Sequence, residues 1–534
     1  MMKWKQQLGG LLMSLAASLA QGQTLTLTHP VAAELPREAP IRVALEAAPG
    51  DYLRGHFVTA NALADLTLVS ATGHPVRQLV AAGDERRQFQ FVVGAADQVL
   101  EVRGHGGGGQ FELTLDRQVP VASQRAPERE FLSPTIAEVA SVIADGGDTE
   151  AFWQQVARAG TPLVEPGPDG RRILTFLYRG AERNVRLFGA PSSNHEQLAR
   201  LGQSDIWFRS FEAPDSTRLS YQLAPDVPDL PGTARERRVA ILATAQADPL
   251  NLTPWPADAV DVYQQNSTVT LDKAPPQPWL SPGTEARGSL ETLRFASETL
   301  GNQRDIQIYR SAGFDPANPD NLLLLVFDGD AYTSQVPTPT ILDNLVAAGE
   351  LPAVMAVFIA NPDREARSRE LPANPLFARV LAEELVPWLQ HQTGMEPLAE
   401  RTILAGSSYG GLASATVALA YPEVFGNVLS MSGSFWWHPP GTPAHEQEYV
   451  ARQLVGMETV PVRFFLSAGL FEGHRSDMAG ILETSRHLRD LLAAKGFPVR
   501  YREYAAGHDY FAWQGVLADG LLALADMANW QSAR

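Results

Sequence analysis

The stretch Arg401–Gly411 constrains this chain more than any other. A short apolar run, Ile403–Ala405, enters Gly406-Ser407-Ser408-Tyr409-Gly410, and a small-residue helical pattern, Leu412–Tyr421, leaves it. The order is strand, tight turn, helix, with a serine at the apex, as in the G-x-S-x-G elbow that presents a nucleophilic hydroxyl. Glycines on both sides let the backbone turn where a β-carbon would clash. The helix N-terminus beneath the hydroxyl favours developing negative charge. Ser408 is the candidate nucleophile. Such a pentapeptide also arises by accident in a chain with 43 glycines. Its meaning rests on whether the chain supplies a base, an acid and oxyanion donors.

With 534 residues the chain exceeds one core and predicts about three domains. A net charge of −17 argues against nucleic acid or an anionic membrane surface as the main partner. An anionic substrate would have to meet a local arginine cluster. Cysteine is absent, so disulfides and thiolate metal sites are excluded. Lys3 and Lys5 precede the apolar run Leu8–Leu19, with cleavage expected after Ala20 or Gly22. This is a signal-peptide layout and predicts export, to a periplasm. No membrane span is expected after its removal.

The pattern then divides the chain. Residues 23–125 read as a β-sandwich module, with short alternating runs such as Ile41–Leu45, Tyr52–Val58, Gln88–Val93 and Gln110–Leu115 separated by turn signals. Within it, His105-Gly106-Gly107-Gly108-Gly109 imitates the HGGG oxyanion loop of lipases. It lies about 300 residues ahead of Ser408, and is read as a hairpin loop. Residues 130–255 read as a helical stretch followed by a second β domain, and the proline-rich 256–288 as a linker. Residues 289–534 alternate apolar strands with helices, which implies a mostly parallel sheet covered on both faces. The expected fold class is α/β: an α/β-hydrolase catalytic domain preceded by two β-sandwich-like domains. Such sheets bind ligands at the carboxyl ends of their strands, where Ser408 lies.

A serine hydroxyl needs a base, which in this fold follows the last strand. Gly507-His508-Asp509 sits there, and of eleven histidines His508 is the only one so placed. The acid should follow the preceding strand. Glu472 in Gly469-Leu470-Phe471-Glu472-Gly473 is the first candidate, with Asp477 as rival or no acid at all. The oxyanion hole would combine the amide of Tyr409 with that of Gly329 or Asp330, after strand Leu322–Phe327. Arg364, Arg367 and Arg369, with Glu370 and Asn374 beside them, cluster on the loop after strand Val354–Ile359 and suit an anionic substrate. Trp436 and Trp437 offer indoles to an aromatic ligand. No metal site and no cofactor are expected.

Several blocks together resemble the enterochelin (enterobactin) esterase family, in the esterase D branch of the α/β-hydrolases. They are Phe327-Asp-Gly-Asp330, Arg367-Ser-Arg-Glu-Leu-Pro-Ala-Asn374, Ala405-Gly-Ser-Ser-Tyr-Gly-Gly411, Leu429-Ser-Met-Ser-Gly-Ser-Phe-Trp-Trp437, Ala468-Gly-Leu-Phe-Glu472 and Gly507-His-Asp509. The resemblance covers roughly Asp148–Asn529. Phe152-Trp153, Ser204-Asp-Ile-Trp207 and Ala247-Asp-Pro-Leu-Asn251 are similar to that family's N-terminal domain. It implies a serine esterase acting on the trilactone of a catecholate siderophore, free or iron-loaded. Two departures bear on the substrate: the best-known members are cytoplasmic, and none of the resemblance covers residues 23–125. A feruloyl or acetyl carbohydrate esterase, and a binding protein on a hydrolase scaffold, are the competing expectations.

Overall fold

A computed structural model of the chain describes residues 23–530, apart from 38, 84, 85, 95–97, 107, 125–130, 193, 285, 444, 445 and 475–478. The export segment Leu8–Leu19 and the rival acid Asp477 lie outside the described residues. The chain divides into two compact units between Arg129 and Glu130.

Among the described residues, the first unit holds a five-stranded and a four-stranded sheet. In Tyr52–Ala60 burial alternates residue by residue, the two-residue period of a strand with one face on a core. Leu53 and Phe57 meet Phe89, Leu100 and Leu113 there. The glycine run does not close a hairpin. Val99–His105 pairs with Ile41–Leu45 and Leu63–Val69 in one sheet. Gln110–Val119 pairs with Val31–Glu34 and Tyr52–Ala60 in the other. The loop therefore carries the chain between sheets, and His105 Nε2 lies 2.9 Å from Asp65 Oδ2.

In the second unit, helices Pro134–Ala144 and Glu150–Ala159 precede two further antiparallel sheets. One contains Arg172–Arg179 and Ile206–Ala213. The other contains Val185–Phe188, Arg218–Pro225 and Asn266–Thr270. The last of these lies inside the stretch expected as a linker. Its β-branched Thr268, Val269 and Thr270 pair with Ser220, Leu219 and Arg218. That partner is distant in sequence, so proline content around the strand hides it.

The remaining sheet has eight strands, in the order Ser289–Ser297, Asn302–Arg310, Val354–Ile359, Leu322–Phe327, Thr402–Ser407, Asn427–Met431, Arg463–Gly469, Val499–Tyr504. The first two pair antiparallel, and Asn302–Arg310 pairs antiparallel with Val354–Ile359. All later pairings are parallel. Every residue of Leu322–Phe327, Val354–Ile359, Thr402–Ser407 and Asn427–Met431 is buried, as required when helices cover both faces. One face packs Phe377, Leu385, Leu412 and Leu488. The other packs Ile341, Leu345, Val516 and Leu521. The expected fold class, with its parallel sheet and preceding β domains, is the observed one.

Glu370 leaves the group expected to face a ligand. It is buried, and its carboxylate takes Arg304 Nη2 at 2.7 Å and Asn302 Nδ2 at 2.7 Å. Both charged side chains of the pair are at most 3% exposed. Removing one partner strands the other charge in the interior, which costs about 3–5 kcal/mol. Arg304→Met should lower the unfolding free energy by that amount, read as a fall in urea midpoint at unchanged m-value. A loss below about 1 kcal/mol would mean the pair contributes little to the fold.

Candidate active site

The elbow is formed by backbone crowding. Ser408 has φ 57° and ψ −120°, a conformation a non-glycine residue holds only when its surroundings impose it. A β-carbon on Gly406 would lie 2.7 Å from the Gly410 carbonyl carbon, and one on Gly411 2.5 Å from Ser430 Oγ. The Ser408 amide donates to Met431 O at 3.1 Å. Its carbonyl accepts from the amides of Leu412 and Ser434, each at 3.0 Å. Helix Tyr409–Ala420 starts at the next residue, three positions earlier than the apolar pattern suggested, so the Tyr409 amide heads the helix. Ser408 Oγ lies 3.3 Å from Ser434 Oγ.

Two strands further along the sheet order, Arg463–Gly469 delivers Glu472, and the last strand delivers His508. Glu472 Oε1 lies 2.5 Å from His508 Nδ1. An ionised carboxylate only accepts, so Nδ1 carries the proton and Nε2 is left as the basic nitrogen. Glu472 Oε2 accepts from Ser432 Oγ at 2.7 Å and from the Gly469 amide at 2.6 Å. Three donors thus converge on one buried carboxylate, the arrangement that holds an imidazole in one tautomer and stabilises its protonated form. Ser432 Oγ in turn accepts from Trp513 Nε1 at 3.1 Å. The Trp513 ring meets His508 edge-on at 4.8 Å. Ser432, Ser434 and Trp513 were not among the expected site residues. A hydroxyl at a strand end and an indole in a mostly apolar helix carry no local signal, since their partners come from distant elements.

The oxyanion candidates head a short helix, Gly329–Ser334, behind Asp328 in the left-handed region at φ 57°. The Asp328 carbonyl accepts from the amides of Ala331 and Tyr332, which leaves those of Gly329 and Asp330 as first-turn donors. Asp328 is fixed from its side chain. Arg367 Nε and Nη2 donate to its two carboxylate oxygens at 2.6 and 2.8 Å, and Asn361 Nδ2 adds a bond of 2.6 Å. The same guanidinium lies over the Tyr409 ring, 5.7 Å from its centroid. Burial works against the Arg367 charge, and Asp328 more than offsets it, so its pKa is raised. Arg367 therefore spans both segments that carry the candidate oxyanion donors.

The other arginines do not lie on a loop. Arg364–Glu370 is a helix capped by Asp363, whose Oδ1 accepts from the Ala366 amide at 2.7 Å. Arg364 and Arg369 are exposed on it. Asn374 caps the next helix through Oδ1 and donates to Arg369 O. The tryptophans separate: Trp436 is exposed, with its ring 6.3 Å from that of Tyr409, whereas Trp437 packs on the core and against Tyr449.

Gly329 cannot be enlarged, because a β-carbon would stand 2.7 Å from Phe358 C and 2.8 Å from Ile359 N. Gly329→Ala should push the segment off the strand and lower kcat about 10²–10³-fold with little change in KM, the cost of a lost oxyanion donor. Unchanged kcat would place the second donor elsewhere.

A strained serine between a parallel strand and a helix, with a histidine and a buried carboxylate delivered by later strands of the sheet, defines a serine hydrolase of the α/β-hydrolase class. The chain belongs to the enterochelin esterase family. Residues 173–280 match the family described as "Enterochelin esterase, N-terminal", and residues 297–524 that described as "Putative esterase". It is 33% identical to an iron(III) enterobactin esterase of Dickeya dadantii, over 70% of this chain and 92% of that one. It is 29% identical to an iron(III) salmochelin esterase of Escherichia coli, over 69% and 92%. Among solved structures it is similar to the ferric enterobactin esterase of Salmonella typhimurium, at 28% identity and a TM-score of 0.59, over 71% of this chain and all of that one. The enterobactin esterase of Shigella flexneri in the presence of enterobactin gives 26% and 0.56.

Proposed function

We propose that this chain is an exported serine esterase that hydrolyses the trilactone esters of a catecholate siderophore, with Ser408 as nucleophile, His508 as base and Glu472 as the acid that orients it. The observation that carries the catalytic assignment is the 2.5 Å bond from His508 Nδ1 to a buried Glu472, in the strand order that an α/β-hydrolase uses. The substrate class rests on the relatives, whose names specify enterobactin and salmochelin.

Ser408 Oγ attacks a lactone carbonyl while His508 Nε2 takes its proton. The amide of Tyr409, with that of Gly329 or Asp330, receives the oxyanion. His508 returns the proton to the departing serine alkoxide, which opens the ring. Water, deprotonated by the same nitrogen, then releases the acyl group from Ser408. The products are linear dihydroxybenzoyl-serine esters, which hold iron less tightly than the intact ring. Iron enters as part of the substrate. With Arg367 committed to Asp328, exposed Arg364 is the cation for an anionic ferric catecholate, together with exposed Arg369, whose Nη2 lies 3.8 Å from the Glu370 carboxylate. Exposed Trp436 offers an aromatic face beside the elbow. Lys3, Lys5 and Leu8–Leu19 support export, and no helix of the described residues is long and apolar enough to cross a membrane.

Purified protein offered ferric enterobactin, methyl ferulate and acetylated xylan in parallel tests the substrate class. The expected result is a kcat/KM for the siderophore at least about 10²-fold above either alternative, or about 2.7 kcal/mol. Preference for methyl ferulate or acetylxylan would move the chain to the carbohydrate esterases.

A further inference from the structure

The β domain that precedes the eight-stranded sheet reaches both loops that carry the proposed acid and base. Strand Arg218–Pro225 pairs along one edge with Asn266–Thr270. Along its other edge it pairs with Val185–Phe188 only as far as Gln222, opposite Phe188. Beyond that point the neighbouring chain turns away at Gly189, φ 75°, where a β-carbon would lie 2.1 Å from Ser220 O. Residues two apart on a strand direct their amides to the same edge. The amides of Ser220 and Arg218 are therefore left without a strand partner, and unpaired edge amides need one.

They find it in the loop that bears His508. The Arg218 amide donates to Ala505 O at 3.0 Å. The Ser220 amide donates to Asp509 Oδ2 at 3.1 Å. Asp509 Oδ1 also accepts from the Ala512 amide at 2.9 Å and so caps helix Tyr510–Ala528. One carboxylate, adjoining His508 in the chain, ties the edge of the β domain to the start of that helix. The acid loop is held as well. Phe471, directly before Glu472, packs into the β-domain core that contains Phe176, Leu219 and Tyr221. The Phe471 amide donates to Ala506 O at 3.2 Å, joining the two loops.

Building on the proposed roles of His508 and Glu472, we infer that the β domain acts as a clamp on the catalytic pair, with Asp509 and Phe471 as its positioning residues. Asp509 touches no reacting atom. It sets the path of the backbone from which His508 projects, while Phe471 sets the path for Glu472. The site is thus incomplete without residues 163–270, even though the nucleophile, base and acid all lie outside them. Geometry of this kind matters because a shift of about 1 Å at the base costs on the order of 10²-fold in rate.

Asp509→Asn is the test, in the full chain. The amide keeps one acceptor oxygen and turns an NH2 toward either the Ser220 or the Ala512 amide, so one of the two ties is lost. Assays at pH 8 keep the native Asp509 ionised, since burial, with the Glu472 charge in the same sense, pushes its carboxyl up to about 6. The expected result is a kcat lower by about 10–10²-fold, a KM for the trilactone within about twofold, and a fluorophosphonate labelling rate at Ser408 reduced by the same factor as kcat. Asp343→Ala, outside residues 163–270, is the control for stability alone. Asp343 Oδ1 accepts from the Gly288 amide at 2.8 Å and the Tyr309 hydroxyl at 2.6 Å, and the loss of these bonds should lower Tm while kcat holds. If Asp509→Asn does not fold, Phe471→Leu carries the same expectation. A kcat for the clamp variant within twofold of the parent, or an equal fall in Asp343→Ala, overturns the inference. Full activity in Ser408→Ala would instead overturn the proposed catalytic roles, so the two failures are distinguishable.

Discussion

Replacing Ser408 with alanine is expected to cut trilactone hydrolysis by at least about 10⁴-fold, while iron-siderophore binding survives. Among the described residues the hydroxyl has no equivalent substitute nearby. Ser434 Oγ lies 3.3 Å away, but its residue follows the next strand and does not head a helix, so an attack from it would lack the Tyr409 amide as oxyanion donor. Binding should persist because the groups proposed to hold the substrate, Arg364, Arg369 and Trp436, belong to other elements. Fluorescence titration with ferric enterobactin, beside product analysis by chromatography, separates the two effects. Residual turnover above a few per cent would assign the nucleophile elsewhere.

The second large effect is at Glu472. Glu472→Gln replaces an acceptor-only group with one oxygen and one NH2, where three donors converge. The amide must choose an orientation. The Gly469 N–H is backbone and cannot stop donating, whereas an imidazole can move its proton from one nitrogen to the other. The NH2 therefore turns to His508, Nδ1 becomes the acceptor, and the proton goes to Nε2. The base is then blocked at the atom that should take the Ser408 proton. A kcat lower by about 10⁴-fold, with KM nearly unchanged, is the expected result, as for the corresponding change in a Ser-His-Asp triad. A fall of less than about tenfold would make Glu472 a bystander and the site a Ser–His dyad.

How much of this was legible depended on how local each signal is. The elbow is encoded within Ile403–Gly410, because glycine spacing and an apolar run leave one conformation. His508 and Glu472 were legible from order along the chain, because a parallel sheet delivers its loops to one edge. The arginine cluster was harder. Sequence shows three cations near one strand end, but not that Arg367 is taken by Asp328 from another strand or that Glu370 is buried on Arg304. Such pairings join residues tens of positions apart and decide whether a charge faces solvent. The same distance hid the Ser432–Trp513 contact, the strand Asn266–Thr270 and the crossing of the His105–Gly109 loop between sheets. The helix Arg364–Glu370 was masked differently: its Asp363 cap is local, yet six polar residues around a single alanine show no apolar period.

Ser408, activated by His508 and Glu472, is proposed to open a catecholate trilactone. Stoichiometric labelling with a fluorophosphonate, followed by mass spectrometry of the labelled peptide, tests it most directly. The expected result is one label per chain, on Ser408, with hydrolysis of ferric enterobactin lost in proportion to labelling and protection by excess siderophore. A label on another residue, or undiminished hydrolysis by fully labelled protein, would contradict it.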